Sequence, residues 1–148
     1  EEFREAVKAG RIRHVGLPES VALIADGLGI EVETISETIE PILAEEEVRT
    51  EYLHVRAGQV AGVRQIGRGL AGDQERIHLD LQMYVGAKEP MDEIRLFGTP
   101  DLCARIPGGT HGDLATAAVV VNSIPLLVHA SPGLRTVIDL PVRFAATF

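Results

Sequence analysis

The chain has 148 residues, a length that suits one domain with a single hydrophobic core. With 45% hydrophobic and 24% charged residues, the composition excludes a disordered or fibrous protein, and the net charge of −8 argues against a surface that binds nucleic acid or an anionic membrane. The one cysteine, Cys103, rules out an internal disulfide and a cysteine-based zinc site, and it fits a cytoplasmic protein.

The N-terminal third of the chain predicts two helices followed by a strand. Residues 2–8 place apolar side chains at helical spacing before a glycine, which is a typical helix stop. Residues 18–28 carry a second apolar stripe that starts with a proline and ends at a glycine. From residue 30 to residue 41 the apolar and charged residues alternate, and this period of two predicts a long strand.

The middle of the chain predicts a run of antiparallel strands. The alternation of apolar and polar residues is clearest at residues 76–85. Four further extended segments are predicted, at residues 48–54, 60–70, 92–97 and 102–106. A turn at residues 57–59 joins the first two of them.

Residues 114–130 predict a helix that is apolar almost all round and is therefore buried against the sheet and against a partner. Pro125 is expected to kink it near Val121. Its apolar run is interrupted by polar residues and is too short to span a membrane. Helices, then strands, then one helix indicate an α+β fold, with a mostly antiparallel or mixed sheet of about five to six strands, N-terminal helices and one long C-terminal helix packed on the sheet.

Residues 67–72 contain three glycines at the spacing of a dinucleotide-binding loop. Such a loop works where it leads from a strand into a helix, whose N-terminus meets the pyrophosphate. Here the next predicted element is another strand, so the glycines are interpreted as a hairpin turn or a bulge. The sequence therefore predicts no cofactor-binding residue in this chain.

A second glycine-rich segment, residues 107–113, opens the C-terminal helix and contains His111. The unpaired N–H groups and the dipole at a helix N-terminus suit a carboxylate or phosphate, and His111 could donate to such a group or transfer a proton. The structural alternative is that Thr110 or Asp113 caps the helix and His111 only packs.

Residues 14–20 form a similar loop before the second helix, with His14 and Glu19 as candidates for a cleft. The structural alternative is that Glu19 caps the helix. Asn122 is polar within an apolar helix, so it either binds neighbouring backbone or faces a ligand or subunit contact. No metal site is predicted, because the histidines lack the spacing of a ligand pair.

Five segments together resemble a known family. They are HVGLPES at residues 14–20, ADGLG at 25–29, GTHGDLATAA at 109–118, VNSIP at 121–125 and DLP at 139–141. They resemble the C-terminal domain of 2,4-diaminopentanoate dehydrogenase-like proteins, relatives of dihydrodipicolinate reductase that include native amine dehydrogenases. The paired histidines and the following lysine of dihydrodipicolinate reductase are absent, which puts that particular activity in doubt.

The resemblance implies a two-domain oxidoreductase in which an N-terminal Rossmann domain, not present in this chain, carries NAD or NADP. Residues 1–148 would then be its single C-terminal domain, which binds substrate and makes a homodimer or homotetramer through its sheet. The implied reaction is hydride transfer at the C–N bond of an amine or amino acid, with a keto acid as a further substrate class. The proton-transfer carboxylate is expected on the Rossmann domain, so this chain alone would be inactive and bind no cofactor. The implied substrate-binding residues are His14, Glu19, His111 and Asn122. The alternative hypothesis is a free-standing ligand-binding or assembly domain without catalysis.

Overall fold

The computed structural model describes residues 1–141, and the chain divides into two compact units, Glu1–Ala87 and Lys88–Phe148. The prediction that residues 1–148 form a single domain stays a prediction. Within the described residues, no helix combines the length and the apolar character that crossing a bilayer requires.

Both predicted N-terminal helices are confirmed, as α1 (Glu2–Lys8) and α2 (Leu17–Leu28). Glycines in the left-handed region bracket α2: Gly16 precedes it with φ 102° and Gly29 ends it with φ 63°. Left-handed backbone carries no steric penalty in glycine, so these two residues define where the helix begins and ends.

The first unit contains a three-stranded antiparallel sheet. Its strands are β1 (Thr34–Leu43), β4 (Val60–Ala71) and β5 (Gln74–Tyr84), in the order β1-β4-β5. The predicted strand from residue 30 starts four residues late. The reason is that Ile30 and Val32 pack against the core beside α2, and the Ile30 N–H still donates to a carbonyl of that helix.

The predicted strand at residues 48–54 is wrong as a single element. It is divided between two short strands, β2 (Val48–Arg49) and β3 (His54–Val55), which pair with each other. The Thr50 hydroxyl accepts hydrogen bonds from two backbone N–H groups in the turn between them. A side chain that satisfies turn donors in this way favours a tight reversal over continued extension.

Helix α2 lies on one face of the sheet, and two glycines of β4 allow its close approach. A Cβ added at Gly69 would lie 2.9 Å from Val21 Cγ1, and one added at Gly67 would lie 3.1 Å from Val21 Cγ2. Val21 is fully buried, in the cluster that also holds Ala25 and Ile77. The bulge between Gly69 and Leu70 and the β4–β5 turn confirm the hairpin interpretation of residues 67–72.

The second unit contains a two-stranded hairpin, a long helix and a short 3-10 helix. They are β6 (Met91–Leu96), β7 (Leu102–Pro107), α3 (Gly112–Leu127) and Val137–Asp139. The α+β class is confirmed, but the prediction of one sheet with five to six strands is wrong: among residues 1–141 the sheets have three, two and two strands. The alternation of apolar and polar residues shows which residues share one face of a strand, but it does not show which strands pair with each other.

The predicted burial of the C-terminal helix is also wrong for the described part of the chain. No residue of α3 is buried, and Leu114, Val121 and Ile124 are 69%, 62% and 56% exposed. The helix continues across Pro125 to Leu127. An all-round apolar composition indicates that a helix is to be covered, but it does not identify what covers it.

Candidate functional site

His14 lies on the loop between α1 and α2, with its side chain exposed and its backbone held by β4. The His14 N–H donates to Gln65 Oε1 (2.7 Å), and Gln65 Nε2 donates to the His14 carbonyl (2.8 Å). Gln65 is fully buried. Its side-chain amide therefore binds both the N–H and the carbonyl of His14, as the backbone of a neighbouring strand would. The rest of this loop is irregular.

The Gln65 amide is oriented by a third partner. Its Nε2 also donates to Glu37 Oε1 (2.6 Å), and the other Glu37 oxygen lies 3.9 Å from an Arg13 nitrogen. A carboxylate only accepts hydrogen bonds, so Nε2 has to face Glu37 and Oε1 has to face the His14 N–H. All the polar groups of the Gln65 side chain are thereby satisfied.

Glu19 lies in the first turn of α2 with its side chain exposed, between the buried residues Leu17 and Val21. The interpretation that it caps α2 is wrong: the N-cap residue is Gly16, and in the described structure no side chain accepts a capping hydrogen bond from the N–H groups of the first turn. An acidic group in a first turn still interacts favourably with the helix dipole. His14 and Glu19 thus flank the same glycine.

The loop before α3 is built from two successive left-handed glycines and an aspartate. Gly108 and Gly109 have φ values of 84° and 70°, and the Thr110 N–H donates to Asp92 Oδ2 of β6 (2.8 Å). His111 follows as the exposed N-cap residue of α3. Neither Thr110 nor Asp113 caps the helix by its side chain in the described structure, so that interpretation is wrong. His111 and the helix N-terminus are available to an anionic group.

Asn122 is exposed on α3, so no buried amide has to be satisfied there. It lies eleven positions after His111, which places the two Cα atoms about 16 Å apart along the helix axis. One small ligand atom therefore does not contact both residues. His14 and Glu19 belong to the first unit, and His111 and Asn122 belong to the second.

The sheet face opposite α2 carries a network of charged side chains. Arg64 donates to both carboxylate oxygens of Asp80 (3.0 and 2.6 Å), and Arg68 lies 3.1 Å from Glu75. The Arg64 hydrogen bonds hold the pKa of Asp80 below its ordinary value of 3.8. Ile66 on this face is only 6% exposed. Its neighbours on the same face, along β4 and across to β1 and β5, are all polar.

The described residues do not form the Rossmann-type fold that binds a nicotinamide dinucleotide. Every strand pair within residues 1–141 is antiparallel, whereas the dinucleotide fold holds its cofactor between parallel strands joined by helices. The glycines at residues 67–72 serve helix packing and a hairpin turn. Across the same residues, no cluster of His, Cys, Asp and Glu is arranged to hold a metal ion, and the histidines do not converge.

Gln65, Glu37 and Asp92 were missed by the sequence reasoning. For Gln65 there was a signal: it has the same strand phase as Gly67 and Gly69, on the face that α2 covers. A polar residue in a buried phase indicates a specific hydrogen-bond partner. For Asp92 no such signal exists, because an exposed aspartate on an alternating strand is ordinary.

The family model described as "2,4-diaminopentanoate dehydrogenase C-terminal domain" matches residues 1–147. The chain is 33% identical to 2,4-diaminopentanoate dehydrogenase of Acetoanaerobium sticklandii over 152 aligned positions, which cover 96% of this chain and 42% of that protein. Among solved structures, an amine dehydrogenase from Mycobacterium smegmatis matches with a TM-score of 0.73 and 25% identity, over 97% of this chain and 44% of that one. The chain thus spans less than half the length of both relatives.

Proposed function

Because the chain belongs to the family of 2,4-diaminopentanoate dehydrogenase C-terminal domains, we propose that it is the substrate-side domain of an NAD(P)-dependent amine or amino-acid dehydrogenase. The observation that carries the proposal is the family match over residues 1–147. The one cysteine and the acidic composition fit a small-molecule enzyme of the cytoplasm.

The proposed reaction is the oxidation of a C–N bond. A hydride leaves the carbon that bears the nitrogen and reduces NAD or NADP, a proton leaves the nitrogen, and water converts the resulting imine into a carbonyl compound and ammonium. We assign the cofactor and the proton-transfer carboxylate to a Rossmann domain outside this chain, because the described strands pair only antiparallel and form no Rossmann-type sheet. This chain then contributes binding and orientation, and residues 1–148 alone are inactive.

Two sets of side chains are proposed to contact substrate, each in its own unit. His111 and the N–H groups of the first turn of α3 suit a carboxylate of the substrate, because histidine donates hydrogen bonds and the helix dipole favours an anion. His14 and Glu19 are a separate candidate pair in the first unit, where the Glu19 carboxylate suits an ammonium group. Asn122 stays a candidate for a ligand or subunit contact.

We further propose that the chain assembles as a homodimer or homotetramer. Every residue of β6 and β7 is exposed, and Phe97 at the hairpin end is 85% exposed. So many exposed apolar side chains in one region are unusual for a surface that remains in contact with water. An exposed sheet face is the proposed contact, and α3 is then shielded as well.

The test is amine-dependent reduction of NAD or NADP by the native protein that contains this chain. The substrates are 2,4-diaminopentanoate, chosen from the name of the Acetoanaerobium sticklandii relative, and a panel of simple amines and amino acids. We expect activity with at least one of them, and a His111→Ala variant with KM raised by about tenfold, as for a lost hydrogen bond to a charged group. Absence of activity with either cofactor would favour the free-standing ligand-binding or assembly domain.

A further inference from the structure

The strongest connection between the sheet and a proposed substrate residue is the pair of hydrogen bonds between Gln65 and the His14 backbone. These two residues are 51 positions apart in the sequence. Among residues 1–141, Gln65 is the partner in the hydrogen bonds made by the loop backbone at residues 12–15. The loop path at His14 therefore depends on one side chain of β4.

We propose that Gln65 is a positioning residue, which fixes the direction in which the His14 imidazole is presented to substrate. Two hydrogen bonds to one residue, one to its N–H and one to its carbonyl, fix its backbone orientation and hence its Cα–Cβ direction. The imidazole itself makes neither bond and stays exposed. This inference rests on the proposed function, because it assumes that His14 contacts substrate.

Glu37 explains why the amide keeps one orientation. If the amide were flipped, its oxygen would face the Glu37 carboxylate and the His14 carbonyl, and its NH₂ group would face the His14 N–H. Three hydrogen bonds would become three repulsive contacts. The Glu37 side chain is only 19% exposed, so solvent does little to weaken that preference.

A role in packing alone would not require this chemistry. A buried position between a sheet and a loop is filled equally well by an apolar side chain of the same volume. Gln65 instead brings a polar group into full burial, where every unmade hydrogen bond is costly. A buried glutamine in place of an apolar residue is therefore expected where a fixed position of the loop matters more than the stability that the residue adds.

The test is a double-mutant cycle in the native protein, with Gln65→Met, His14→Ala and the double variant. Methionine is close to glutamine in size but neither donates to the His14 carbonyl nor accepts strongly from its N–H. For Gln65→Met we expect KM for the amine to rise about tenfold with kcat changed less than about twofold. In the His14→Ala background the same change should leave KM unaltered, because the imidazole through which it acts is gone.

The melting temperature separates positioning from stability. Alanine at position 14 keeps the backbone N–H and carbonyl that Gln65 binds, so Gln65→Met should lower the melting temperature equally in both backgrounds. A core variant, Ile77→Val, is the control that lowers stability without a contact to the loop and should leave KM unchanged. If Gln65→Met does not fold, Gln65→Asn replaces it, since its amide is one C–C bond, about 1.5 Å, too short to reach.

An unchanged KM in Gln65→Met, or a KM effect that persists at full size without the His14 imidazole, would overturn the positioning role. Failure of the proposed function gives a different result, since the unsubstituted protein would then show no amine-dependent reduction of NAD or NADP. That measurement precedes the comparison of variants.

Discussion

The packing of α2 against the glycines of β4 makes a quantitative prediction for Gly69→Ala. The added methyl group would lie 2.9 Å from Val21 Cγ1, 3.2 Å from Val32 Cγ2 and 3.3 Å from Ile77 Cβ. Contacts between carbon atoms are optimal at about 3.5 to 4.0 Å, so all three neighbours have to move. All three belong to the buried core or pack against it, and they have little room to do so.

We expect Gly69→Ala to destabilise the protein by about 1 to 2 kcal/mol. Overpacking a core costs about 1 to 3 kcal/mol, and replacing a strand glycine by alanine returns about 0.5 to 1 kcal/mol through the unfolded chain. The measurement is urea-induced unfolding followed by circular dichroism. An unchanged dependence on urea with a lower midpoint would show that stability alone has changed.

Two further variants test the reason for this loss. Gly112→Ala, at the start of α3, meets no atom within 4 Å, so it should stabilise the protein by about 0.5 to 1 kcal/mol through the unfolded chain. Val21→Ala removes the nearest carbon, so the double variant Val21→Ala/Gly69→Ala should lose at least about 1 kcal/mol less than the two single losses added together. A neutral Gly69→Ala, or strict additivity with Val21→Ala, would refute the packing explanation.

Two other predictions concern the charged sheet face and α3. The lowered pKa of Asp80 means that its pair with Arg64 stabilises the fold above the ordinary value of 3.8 and that this contribution is lost as the pH falls through the lowered pKa. Asp80→Asn should therefore cost about 1 kcal/mol at neutral pH and almost nothing in strong acid; equal losses in thermal unfolding at both pH values would contradict this. Val120 is 60% exposed on α3, so Val120→Glu should be neutral if water covers the helix and should lower the assembled mass by light scattering if protein covers it. The oligomer proposal expects the lower mass, and an unchanged mass and stability would count against it.

The elements that the sequence predicted well are those with local causes. Helix α2 follows from its apolar stripe and from glycines at its ends, and the hairpin at residues 67–72 follows from glycine chemistry that needs no distant partner. Two features depend on contacts between distant parts of the chain: β6 pairs only with β7 among the described strands, and α3 is exposed. Hydrophobic periodicity carries no information about that.

The candidate site shows the same division. His14 and His111 were found because each lies in a glycine-containing loop that enters a helix. The capping roles of Glu19 and of Thr110 were wrong because left-handed glycines and an aspartate of β6 organise those loops instead. The bond between Gln65 and His14 joins residues 51 positions apart, and no local pattern reports it.

The central claim is that this chain provides the substrate side of an NAD(P)-dependent amine or amino-acid dehydrogenase whose cofactor is bound elsewhere. The most direct test is a parallel titration of the native protein and of residues 1–148 with NAD and NADP, with amine present and absent. We predict binding by the native protein and none by residues 1–148. Binding by residues 1–148 alone would contradict the division of roles, and binding by neither would contradict the dehydrogenase assignment itself.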